Sequence, residues 1–182
     1  MATPVQMTDP RLRARLADGS LAGAWTLDPS RSAVHLRSRS MWGLAPVKGS
    51  FGQLSGEAVI SGTGEVSGTI TVGSASIDTK IKKRDAHLRS ADFFDSDAYP
   101  HLIFTAQQVT LTSAGATATG TLQVRDRARS LTFPVAVSAS GEVIQLDAEV
   151  VIDRSGFGLT WNQLGMVSMK NTITIRAVFT RH

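Results

Sequence analysis

From Ala24 onward, apolar and polar residues alternate with a period of two. Val34 and Leu36 alternate with His35 and Arg37, and Val66, Ile70 and Val72 share a face opposite Thr69 and Thr71. Leu102, Phe104 and Ala106 oppose His101, Thr105 and Gln107, and Leu131, Phe133, Val135 and Val137 continue the pattern. So do Ile144, Leu146, Ala148, Val150 and Ile152, then Ile173, Ile175, Ala177 and Phe179. One dry face and one wet face per strand predicts antiparallel sheet. Turn signals separate the runs at Ser61-Gly62-Thr63-Gly64, Ser113-Ala114-Gly115, Arg125-Asp126-Arg127-Ala128 and Ser140-Gly141-Glu142. Within 47–60 the phase inverts, from Val47 and Phe51 to Leu54, Ala58 and Ile60. A β-bulge near Gly52-Gln53 reconciles the two phases and curls the sheet. About eight such strands must hide their apolar faces. A closed barrel does so and removes the sheet edges; a two-sheet sandwich fits the period nearly as well.

Two segments break the period. Residues 1–22 form an N-terminal extension, set apart from a β-domain over 23–182. Thr8-Asp9-Pro10 can start a short helix there, Leu12 and Leu16 share one face of it, and Gly19 ends it. So short a helix cannot stand alone; it is either frayed or docked on the β-domain, where it would act as a lid. The second segment, 84–95, has helical character between two strands.

Composition narrows the class. The chain has 182 residues, 42% hydrophobic and 19% charged, which suits one globular domain. No apolar run approaches the ~20 residues of a membrane helix. No apolar stretch follows Arg11, Arg13 and Arg15, so no signal peptide is read and a cytoplasmic location is expected. There is no cysteine, which excludes disulfides and thiolate chemistry. The net charge is +4, but only Lys80-Ile81-Lys82-Lys83-Arg84 is clustered, without aromatics, so no nucleic-acid partner is expected.

Catalytic chemistry finds little support. Alternation puts His35 and His101 on wet faces, and His182 is the last residue. Asp85 and His87 stand i, i+2 on a helix and do not face each other, which leaves His87 a local brace. Asp92, Asp95 and Asp97 lack the Gly and terminal Glu of a calcium loop, so no metal is expected. GxSxG, HExxH and P-loop motifs are absent. The reading is a non-enzyme without a cofactor.

The run Arg84-Asp85-Ala86-His87-Leu88-Arg89-Ser90-Ala91-Asp92-Phe93-Phe94-Asp95, followed by Tyr99-Pro100, resembles the signature of the YceI-like family of polyisoprenoid-binding, lipocalin-like bacterial proteins. The likeness extends to Trp25-Thr26-Leu27-Asp28-Pro29-Ser30, to Val47-Lys48-Gly49-Ser50-Phe51 and to Asp153-Arg154-Ser155-Gly156-Phe157-Gly158-Leu159-Thr160-Trp161-Asn162. It departs at the tight turn Ser140-Gly141-Glu142 and at the short linker Gln163–Met169. The resemblance implies an all-β, lipocalin-like antiparallel β-barrel of about eight strands, with a short helical connection near 84–95. It further implies an apolar lipid-like ligand, such as a polyisoprenoid or isoprenoid quinone, bound in the interior for transport or sequestration.

The inward positions Leu36, Phe51, Ile70, Val72, Phe104, Leu122, Phe133, Leu146, Ile173, Ile175 and Phe179 are then the tunnel, with Phe93, Phe94 and Trp161 at its mouth. Small inward residues, among them Ala58, Gly68, Ser74, Ala106, Gly120 and Ala148, leave room inside. The alternative is a filled core serving as a protein-interaction or stress-related module. Lys80, Lys82 and Arg84 are read as a solvated face before an anion site. Transient membrane contact and a homodimer stay open.

Overall fold

The computed structural model describes residues 10–112 and 115–181; Thr8, Asp9, Ser113, Ala114 and His182, named above, lie outside them. The chain runs α1 (Pro10–Ala17), β1 (Gly23–Leu27), β2 (Ala33–Ser40), β3 (Ala45–Phe51), β4 (Leu54–Ile60), β5 (Val66–Gly73) and β6 (Ile77–Asp78). It continues through α2 (Lys82–Arg89), β7 (His101–Thr112), β8 (Gly115–Val124), β9 (Arg127–Ser140), β10 (Val143–Asp153) and β11 (Lys170–Arg181). All strands belong to one antiparallel sheet, and β1 pairs with both β4 and β11, which closes it into an eight-stranded barrel.

Eleven strand segments make eight strands because three of those strands are bent. β1 pairs with the C-terminal half of β11 and β2 with its N-terminal half, so β1–β2 is one long strand kinked at 28–32. β3–β4 follows it, with β3 against β2 and β4 against β1. β5–β6 follows in turn, along β4 and β3. The bends are tied to each other. Gly52 N–H donates to the Ser76 carbonyl at 3.3 Å, Gly73 N–H to the Gln53 carbonyl at 2.9 Å, and Val178 N–H to Ser32 Oγ at 2.9 Å. The expected bulge at Gly52-Gln53 is therefore a full corner between two strands. Beyond the corners β2, β3 and β6 continue the sheet, and β6 pairs with β3 but not with β7, which leaves this end of the barrel open, or flared.

The helical connection begins two residues earlier than the sequence indicates and is shorter, with α2 ending at Arg89 and turns following to Pro100. Asp85 Oδ1 accepts from the backbone N–H of Thr79 at 2.9 Å and from its hydroxyl at 2.5 Å, while Arg84 Nε donates to Thr79 Oγ1 at 2.8 Å. These bonds fasten α2 to the end of β6. The docked α1 sits at the opposite end. Leu12 is buried, Arg13 donates to the Thr112 carbonyl at 3.2 Å, and Arg15 donates to the Gly141 carbonyl at 2.9 Å. Gly19, at φ 74°, ends that run in the left-handed region where a side chain is strained.

Candidate functional site

The apolar faces of the eight strands converge on a cavity of about 1080 Å³. It runs from Leu12 and Leu16 of α1 at one end to Phe94, Arg154 and Phe157 at the other. Its walls carry Leu36, Phe51, Ile70, Val72, Phe104, Leu122, Phe133, Leu146, Ile173, Ile175 and Phe179, the whole set of tunnel positions read from the alternation. Small residues keep it open, with Ala58, Gly68, Ala106, Ala118, Ala148 and Ala177 in the lining. Two small residues expected there do not line it. Ser74 is fully buried, its hydroxyl donating to the Tyr99 carbonyl at 2.8 Å. Gly120 lies under a neighbouring strand, where a Cβ would meet Thr105 O at 2.3 Å and Phe104 Cζ at 2.7 Å. A glycine at 120 lets the Phe104 ring lie across β8, 5.3 Å from Phe133.

Water fills this space poorly, because ordered water needs polar partners and the walls are mostly leucine, isoleucine, valine, phenylalanine and alanine, with Arg154 and Asn171 at one end. The lumen is therefore shaped for an apolar occupant.

Phe93 and Trp161 stand outside the main cavity, in a side pocket of about 180 Å³ at the flared end. Leu36, Phe94, Arg154 and Asn171 line both spaces and form the wall between them. His87 packs edge-on against Trp161, with centroids 4.4 Å apart, and against Phe93 at 5.2 Å. His87 Nε2 lies 2.9 Å from Asp92 Oδ2, so its acidic partner is Asp92 and not Asp85. Phe94 alone of the three mouth residues reaches the main lumen, edge-on to Phe51 at 5.9 Å.

The sequence reading missed Arg154. The residue is 6% exposed, and its guanidinium donates to the carbonyls of Ser168 at 3.0 Å, of Val167 at 3.4 Å and of Leu159. It lies 5.5 Å from the Phe93 ring centre. Burial pushes its pKa down from the ordinary value, and Asp153 opposes that only weakly. No carboxylate pairs with it among the described residues. In the same side pocket the buried hydroxyl of Ser38 has no hydrogen-bond partner among the described residues. Arg154 belongs to the Asp153–Asn162 motif, so its position was flagged, but nothing in the spacing shows that the chain folds back to bury it. Leu12 and Leu16, the shared face read for the N-terminal helix, also line the lumen, as does Trp25 of β1, which was not among the tunnel positions.

Lys80 pairs with Asp78 at 2.5 Å and Arg84 is spent on Thr79, which suits the solvated reading of that cluster. His35 and His101 are exposed. No helix among the described residues is long and apolar enough to cross a membrane.

The YceI-like domain family matches residues 25–180. A UPF0312 protein of Staphylococcus aureus strain N315 is 27% identical over 148 residues, 76% of this chain and 84% of its own length. Among solved structures, Burkholderia cenocepacia BcnA superposes with a TM-score of 0.76 at 24% identity, covering 84% of this chain and 98% of its own. A polyisoprenoid binding domain from Saccharophagus degradans, implicated in plant cell wall breakdown, superposes at 0.69 with 17% identity, over 87% of this chain and 98% of its own. At these identities the superpositions establish the shared fold.

Proposed function

Because the chain belongs to the YceI-like family, we propose that it binds a long apolar molecule, a polyisoprenoid or isoprenoid quinone, along the barrel axis and sequesters or carries it. The observation that carries this is the apolar cavity of about 1080 Å³. The binding domain from Saccharophagus degradans, of the same fold, supports the ligand class. A tail burying several hundred Å² gains on the order of 10 kcal/mol at ~25 cal/mol per Å², of which association and ordering take back a large part. No covalent step is involved.

The tail lies against Ile70, Phe104, Leu122, Leu146, Ile173 and Ile175, and its polar end points to the wall between the two spaces. There Arg154, Ser38 and Asn171 offer donors to a head that presents oxygen acceptors. The helix α1 acts as the lid at the other end. Native mass spectrometry of gently purified protein tests the reading. A bound mass of lipid size that denaturation releases is the expected result. A clean apo mass under the same conditions refutes the carrier and favours a domain that works through its outer surface.

A further inference from the structure

The flared end of the barrel exposes large apolar side chains that the fold does not need. At the β2–β3 tip Met41 is 53%, Trp42 68% and Leu44 84% exposed, and Leu164 in the loop before β11 is 81% exposed. The two loops form one surface, because Trp42 N–H donates to the Met166 carbonyl at 3.3 Å and Ser168 N–H to the Arg39 carbonyl at 2.9 Å. Met41, Trp42 and Leu164 hold positive φ, near 50–55°, an uncommon backbone conformation for such bulky side chains. A contiguous exposed apolar patch of this kind marks a place of contact.

Charge identifies the partner. Arg39 and Lys48 stand exposed on β2 and β3 just behind the patch, and Lys82 and Lys83 open α2, which packs on β6 next to β3. None of these four forms an ion pair among the described residues, whereas Asp78, Asp92 and Asp153 at this end are engaged by Lys80, His87 and Lys170. An exposed tryptophan and leucines at a tip, with unpaired bases set back from it, match the layers of an anionic bilayer. The side pocket, lined by Ser38, Ser40, Val47 and Val167, lies at the root of the same loops.

We infer that the Met41–Leu44 tip and the Leu164 loop insert into an anionic lipid surface and seat the flared mouth of the barrel on it. The inference rests on the carrier reading for its purpose, since a ligand of this class is dissolved in the bilayer, but its test is separate. The full chain is sedimented with vesicles of phosphatidylcholine alone and with about one-third phosphatidylglycerol. Trp42 fluorescence is read in parallel, against a Trp42→Phe background. Uptake of a fluorescent polyprenyl probe is measured without vesicles.

The expected result is binding to the anionic vesicles with a blue shift of the Trp42 signal. Trp42→Ser with Leu44→Ser should weaken it at least tenfold, and Lys48→Gln about fivefold, following the contribution of one base near such a surface. Probe uptake should be unchanged in both variants. Probe uptake without vesicle binding by the parent chain overturns the docking surface and leaves the carrier standing. Vesicle binding without probe uptake does the reverse. Vesicle binding that the tip variants do not reduce, or a concentration-dependent dimer that they dissociate, also overturns the inference; the second would make the patch a contact between two copies.

Discussion

Replacing Ile175 by tryptophan separates a hollow barrel from a packed one. Ile175 sits on β11 between Val34 of β2 and Ala148 of β10, half-buried, with its side chain on the lumen. In a filled core the added bulk has nowhere to go, and overpacking costs about 1–3 kcal/mol. For a domain of this size each kcal/mol lowers Tm by roughly 2–4 °C, so a packed barrel would lose roughly 2–12 °C. Here the indole enters open space, and Tm should move by less than about 2 °C. The ligand bears the effect instead. A buried aromatic covers about 150–250 Å², so roughly 100 Å² of wall is taken from the tail. At ~25 cal/mol per Å² that is about 2.5 kcal/mol, or a loss of affinity of about sixtyfold. Phe133→Trp, on β9 beside Phe104, should behave likewise but more weakly. The assay is thermal unfolding of the apo protein beside titration with a fluorescent polyprenyl probe. A Tm drop of several degrees with unchanged probe affinity would refute the tunnel.

Asp85→Ala should cost about 2–3 kcal/mol, more than the loss of a helix cap, because it strands the buried N–H and hydroxyl of Thr79; urea unfolding measures it, and a change under 0.5 kcal/mol would show the clamp to be idle. Deleting residues 1–18 should leave a β-type circular dichroism spectrum and speed both uptake and release of the probe, since Leu12 and Leu16 contribute only about 2–4 kcal/mol of apolar burial. Unchanged rates would make α1 a tail and not a lid. Acid should loosen the same end. The hydrogen bond and charge of Arg181 hold Glu142 below its ordinary value of 4.5, so the unfolded or undocked form binds the proton more readily. The pair therefore stabilises above about pH 4.5, and that contribution is lost as pH falls through the lowered value. Because Arg181 also donates to the carbonyls of Ser20 at 2.9 Å and Ala22 at 3.1 Å, amide exchange across 18–23 should rise in that window in the parent chain and be insensitive to it in Glu142→Gln.

The alternation of side chains determined much of this protein. A period of two sends alternate residues to opposite faces whatever the strands pair with, so the wall positions from Leu36 to Phe179 were legible without knowing one strand partner. The phase inversion between Phe51 and Leu54 likewise marked a corner, because a strand cannot change its buried face without breaking. The arginine- and histidine-rich run from 84 placed the helical connection. Closure was not legible: alternation is equally satisfied by a sandwich, and only the pairing of β1 with both β4 and β11 decides for the barrel. Nor was hollowness, which depends on how far apart opposing walls stand and on single contacts such as Phe104 lying over Gly120. The buried guanidinium of Arg154, the pairing of His87 with Asp92 and the meeting of Trp42 with the Leu164 loop all bring together residues from distant loops or from turns without a period. Local sequence fixes which way a strand residue points; which loop it then meets is set by the closed sheet that carries both.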